Sequence, residues 1–173
     1  MIFRHLFVII ALAATMTPLI AESKEIHTSQ IPLHEPLKWE SIDRALAIGN
    51  ETSQVTLVFF HAGWCGPCRL VENKILPQLR PLLDQMVLAK VDIGDDTTHL
   101  TVNQSLLTGA EVARLMGTSS TPGFVLIAPD GKPILRETGL INVKALGILL
   151  AYATTGAYRH DSFEEYTKVT RWP

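Results

Sequence analysis

An α/β fold, a central mixed β-sheet with helices on both faces, is predicted by three observations. Segments of helical and extended period alternate in the order helix, strand, helix, strand, helix, strand, strand, helix. The apolar run Val55-Thr56-Leu57-Val58-Phe59-Phe60 reads as a buried strand. Pro129-Asp130-Gly131-Lys132 separates two further strand-like runs and is a hairpin turn, so a parallel pair leads into an antiparallel hairpin.

Chain length of 173 residues, hydrophobic content of 47% and a formal net charge of −2 describe one ordinary globular domain. No basic excess points to nucleic acid, and no charge run, repeat or low-complexity tract stands out. Residues 1–21 are expected to be a signal peptide. Arg4 supplies the positive start, Leu6 to Ala14 the apolar core, and Thr15 to Ala21 the exit, with Pro18 inside it. Cleavage is expected after Ala21. An uncleaved inner-membrane anchor is the alternative, although the apolar stretch is shorter than the ~18–20 residues that span a bilayer. Either way the cysteines would face an oxidising compartment, the periplasm. Residues 22–36, polar with Pro32 and Pro36, read as a linker. Residues 37–173 are the domain, including a C-terminal helical tail.

Ser41 is placed to cap a helix whose apolar face is Ile42, Ala45, Leu46 and Ile48, with a stop expected at Gly49-Asn50 and Trp39 as a staple before the cap. After the strand Val55–Phe60, a helix is expected from Gly66 to Leu76, broken or kinked by Pro77. Leu79, Leu82, Leu83 and Met86 suggest a second short helix, and Val87 to Val91 a strand closed by Asp92. Residues 94–108 are polar and read as a surface insertion. Gly109 to Met116 should be a short helix with Val112, Leu115 and Met116 inward. Strands Gly123–Ala128 and Pro133–Glu137 flank the hairpin turn. Asn142 should cap a last long helix bearing Leu146, Ile148, Leu149, Leu150 and Tyr152. Tyr158, Phe163, Tyr166 and Trp172 suggest that the tail packs back as a short helix.

Both cysteines of the chain lie in Trp64-Cys65-Gly66-Pro67-Cys68, between the strand and the helix. A Cys-x-x-Cys in that position points to thiol–disulfide chemistry. At a helix start, unpaired N–H groups and the dipole stabilise a Cys65 thiolate. Cys68 follows one turn later, near enough to close a short disulfide. Pro67 loses nothing in a first turn, and Gly66 leaves room for a substrate backbone. Two plainer uses compete. A structural disulfide this short stabilises little, and a zinc tetrahedron lacks a second cysteine pair.

The Trp-Cys-Gly-Pro-Cys run after an apolar strand, with Thr121-Pro122 before another apolar run, resembles the thioredoxin family. The resemblance spans roughly residues 38–155 and implies the thioredoxin fold. It also implies a cis peptide at Thr121-Pro122 facing the cysteines, a backbone at Thr121 that pairs with an extended substrate, and no cofactor. A trans proline starting a strand is the plain alternative. The tail, the Thr121-Pro122 segment and the turn resemble periplasmic thioredoxins of the SoxW type. The front, from Trp39 through Glu72, resembles the C-terminal domain of DsbD. These resemblances imply an exported thiol:disulfide oxidoreductase, working mainly as a reductase. They imply a monomer with protein disulfide substrates and no nucleic-acid partner, fed by a membrane electron-transfer protein of the DsbD/CcdA kind. Family poise supports the direction: about −270 mV in thioredoxin against about −120 mV in the oxidant DsbA.

The resemblance breaks at one place. Thioredoxin carries a buried aspartate six residues before its first cysteine, and this chain has Phe59 there. Glu72, four residues after Cys68 as in the DsbD domain, shares a helical face with both cysteines. It is read either as a proton acceptor for a cysteine or as a rim glutamate paired with Arg69. Lys90 matches a thioredoxin lysine, and its pairing with Glu72 is open. Trp64 is expected to be a surface platform rather than core, and His61 either touches the site or merely packs. The rival function is a copper chaperone of the same fold, binding metal through Cys65, Cys68 and a histidine, His61 or His99. His27, His34 and His160 are scattered and suggest no metal site.

Overall fold

The computed structural model describes residues 35–102 and 104–170. The expected signal peptide, the linker up to residue 34, His27, His34 and Trp172 lie outside them.

Strand β2 (Thr56–His61) is the centre of a five-stranded sheet. On one side it pairs in parallel with β3 (Val87–Asp92), which pairs in parallel with the two-residue β1 (Trp39–Glu40). On the other it pairs antiparallel with β6 (Gly123–Ile127), which carries β7 (Pro133–Thr138) through the expected hairpin turn. The mixed sheet and its order are those of the thioredoxin fold. The period-two alternation of β2 feeds two cores. Leu57 and Phe59 join Cys65, Cys68, Val71, Leu76, Leu79 and the last long helix, α5 (Val143–Thr154). Val58 and Phe60 point the other way, toward Ile42 and Ala45 of α1 (Ile42–Thr52) and Val112 and Ala113 of α4 (Gly109–Leu115).

Several expectations hold as stated. Asn142 Oδ1 accepts from Ala145 N at 2.8 Å and caps α5. The tail returns as α6 (Phe163–Val169), with Phe163 and Tyr166 ring centroids each 5.2 Å from Tyr152.

Others need correction. The helix expected from Gly66 to Leu76 leaves α geometry well before Pro77: α2 (Gly66–Leu70) passes into a π-turn at Val71–Ile75, a 3₁₀ turn at Leu76–Leu79 that contains Pro77, and a short α3 (Arg80–Leu83). Helix α1 runs through Gly49 to Thr52 and ends on Ser53 at φ 58°. Gly49 serves contact rather than termination, since a Cβ there would lie 2.5 Å from Thr56 Oγ1 on β2. Ser41 stands at the N-cap, but its hydroxyl makes no capping bond. Trp39 is a strand residue paired with Leu88, so β1 replaces the expected staple. The insertion contains a β-hairpin, β4 (His99–Val102) and β5 (Ser105–Thr108), whose Val102 enters the α1–α4 core. In α4 the inward stripe is Gly109, Val112 and Ala113, and Leu115 is 59% exposed. Leu115 falls two residues past that stripe and so points away from it.

Candidate active site

The site forms where β2 stops. Its last residue, His61, lies opposite Asp92 of β3, and Phe60 lies opposite Gly123 of β6. The loop that follows β2 therefore emerges between the β3 end and the Thr121-Pro122 segment. Cys65 N donates to Ala62 O at 2.9 Å, turning that loop into α2. Cys65 is the N-cap of α2, and Cys68 N donates to Cys65 Sγ at 3.1 Å. The two cysteines are joined in a disulfide with their Cα atoms 5.3 Å apart. Both are nearly covered, 3% and 1% exposed. Position therefore separates them: the sulfur at the cap receives the backbone N–H, which favours negative charge on Cys65.

Trp64 is 72% exposed beside Cys65, outside the core. Gly66 and Pro67 are exposed on the first turn. The Thr121–Pro122 peptide is cis, and Pro122 O accepts from Gly139 N at 2.7 Å, which ties the segment to the end of β7. Arg69 Nη1 donates to Gly63 O at 3.1 Å, clamping the loop before the cysteine.

Glu72 sits in the π-turn, and its carboxylate accepts from Lys90 Nζ in an ion pair. The side chains are 25% and 27% exposed, so the pair lies at the margin of the core. The expected rim partner Arg69 is engaged elsewhere, and the open Lys90 pairing is made. Lys90 stands opposite Phe59 in the β2–β3 register. Phe59, where thioredoxin keeps its aspartate, is fully buried, with the rings of Trp39, His61 and Phe124 at 6.1, 5.9 and 5.3 Å. Through Lys90, the Glu72 carboxylate is tied to the strand beside Phe59. His61 is half-buried and stacked on Phe59; burial first, then the Lys90 charge, hold its imidazole below the usual range.

A metal centre is not assembled: among the described residues no three His, Cys, Asp or Glu side chains converge. His99 lies on β4, its Nδ1 3.2 Å from Thr97 O. Among the described residues, no histidine joins the two cysteines in such a group. One neighbour of the site carries little signal in the sequence. Gly94, beyond β3, lies against the Trp64 indole. Only its place two residues after an aspartate, an Asx-turn spacing, hinted at a tight turn.

A family model described as a thioredoxin-like domain matches residues 42–154. Thioredoxin of Mycolicibacterium smegmatis is 32% identical over 95 residues, 55% of this chain and 74% of that protein. Mitochondrial thioredoxin of Mus musculus is 29% identical over 85 residues, 49% of this chain and 51% of that protein, so the chain spans about half the length of that relative. A solved structure described as DsbH oxidoreductase superposes with a TM-score of 0.59 at 19% identity, over 78% of this chain and 96% of that one. At that identity the likeness is one of fold.

Proposed function

This chain belongs to the thioredoxin-like domain family, and on that premise we propose that it is an exported thiol:disulfide oxidoreductase that reduces protein disulfides. The observation that carries the proposal is the Cys65–Cys68 disulfide at the start of α2, with the Cys68 amide on the Cys65 sulfur.

In the reduced protein the Cys65 thiolate attacks one sulfur of a substrate disulfide. The substrate S–S bond breaks, a Cys65–substrate disulfide forms, and the departing thiolate takes a proton from water. Cys68 then loses its proton and attacks the Cys65 sulfur. The second substrate thiolate leaves, two electrons have passed to the substrate, and the Cys65–Cys68 disulfide remains. Glu72 accepts the Cys68 proton in place of the aspartate absent at Phe59, and Lys90 orients its carboxylate. Thr121 and Pro122 receive the substrate chain, with Trp64, Gly66 and Pro67 completing the contact. A membrane dithiol donor of the DsbD/CcdA kind returns the electrons. Residues 1–21 deliver the chain to the periplasm, where it works as a monomer.

The test is insulin reduction driven by dithiothreitol, with a glutathione redox titration of the Cys65–Cys68 pair. Catalysed reduction and a potential below about −180 mV are expected. A higher potential would make the protein an oxidase or isomerase, and no exchange at all would sink the proposal.

A further inference from the structure

We propose that Gly94 is a positioning residue for the Trp64 indole, giving the exposed ring beside Cys65 a fixed seat from which it meets a polypeptide substrate. The inference rests on the reductase reading above. Trp64 directly precedes the nucleophile, yet it projects from a loop and is the most exposed aromatic ring beside the disulfide. A large ring on a loop is useful for binding only if its place is set beforehand.

Gly94 sets it by having no side chain. A Cβ at this position would lie 3.0 Å from the indole Nε1, 3.2 Å from Asp92 Oδ1 and 3.3 Å from the Ala62 Cβ. Ordinary contacts between heavy atoms are about 3.5–4.0 Å. The indole edge therefore fills the space that any other residue would occupy, with Ala62 as the second wall. Ala62 is buried. The seat itself is pinned from two directions. Asp92 Oδ1 accepts from Gly94 N at 2.8 Å, which closes a turn at the end of β3. Behind it, the Asp92 carbonyl packs on the first residue of α4, where a Cβ on Gly109 would lie 1.9 Å from that oxygen. The strand end, the turn and the helix start are thus tied together, and the exposed indole rests against them.

A side chain at residue 94 would move the ring before it moved the backbone, because the turn is held by the Asp92 Oδ1 bond and the close packing on Gly109, whereas the ring is 72% exposed. Ordering an exposed side chain on binding costs free energy, and a ring already seated avoids that cost. The consequence falls on association with a substrate long enough to reach the ring, and spares the sulfur chemistry.

The experiment compares wild type with Gly94→Ala and Gly94→Val in dithiothreitol-driven reduction of insulin and of glutathione disulfide. The Trp64 indole N–H resonance is followed in parallel, assigned by Trp64→Phe. Expected are a rise in KM for insulin of about threefold to tenfold, larger for valine, with kcat within about twofold, and a shifted Trp64 resonance. Glutathione disulfide, too small to reach the ring, should be turned over at the wild-type rate. In a Trp64→Ala background, Gly94→Ala should add nothing further. The proposal is overturned by an unchanged insulin KM, by a KM effect that persists without Trp64, or by equal loss on both substrates. Wild-type protein that reduces neither substrate defeats the reductase reading itself, and this inference with it, before any variant is compared.

Discussion

The two faces of the sheet are built from alternate residues of the same strand, and only one of them carries chemistry. Val58 and Phe60 of β2, with Ala89 and Val91 of β3, meet α1 and α4 in a face that is apolar at the C-terminal strand ends, the buried Thr56 at the start of β2 bonding to Ala45 O. Phe59 and His61, with Lys90 and Asp92, occupy the other face, and there the last positions turn polar. The cysteines, the Glu72–Lys90 pair and the half-buried imidazole all sit where that face opens. A face closed to its end can only stabilise. One that admits charge at its margin gives up some dry contact area and gains groups that hold or move protons.

Substitutions on the two faces should therefore separate activity from stability. The largest effect is expected from Cys65→Ser, which should abolish insulin reduction, while Cys68→Ser should accumulate mixed disulfides on Cys65. Non-reducing gels after substrate exposure decide it, and adducts on Cys68 in the Cys65→Ser protein would reverse the roles. On the opposite face, Ile42→Ala removes a buried side chain of the α1 core and should cost about 2–5 kcal/mol. Urea unfolding should show that loss, with turnover per folded molecule unchanged. A drop in turnover below the unfolding transition would mean that the closed face also shapes the site.

Glu72→Gln keeps the shape of the side chain and removes the proton acceptor. Mixed-disulfide resolution should slow by roughly 10²-fold, the lower end of general-base assistance, with little change in thermal stability. Superimposable rate profiles of wild type and variant from pH 6 to 9 would return Glu72 to a purely structural pair with Lys90. The smallest effect is expected at His61. Burial lowers its folded-state pKa, so below the unfolded value of ~6.5 the unfolded chain binds the proton more readily. Its contribution is then present above that value and is lost as pH falls through the folded pKa. His61→Phe should lose less stability than wild type between pH 7 and pH 5 in denaturant titrations. Parallel losses would show that the imidazole does not titrate differently on folding.

Much of this site is legible in the sequence. Cys-Gly-Pro-Cys after an apolar strand, Thr121-Pro122 before the next one, and a carboxylate four residues past Cys68 are local patterns, and the structure sets them after β2, before β6 and in the π-turn that follows α2. What was illegible depended on distant partners. Whether Glu72 faced Arg69 or Lys90 turned on the π-turn at Val71–Ile75 and on the β2–β3 register, neither of which leaves a period in the sequence. Leu115, expected inward, is exposed, because a helix of one to two turns gives too few residues to fix its phase.

By itself the chain determined the elements whose signals are short-range: the long apolar strand, the Asn142 cap, the Pro-Asp-Gly-Lys turn and the dithiol at a helix start. Tertiary structure alone decided β1, the β4–β5 hairpin, the partner of Glu72 and the closeness of Gly94 to Trp64. Strands of two to four residues are too short to show their period. A contact made by the absence of a side chain becomes visible only when the surface that fills the space has been folded against it.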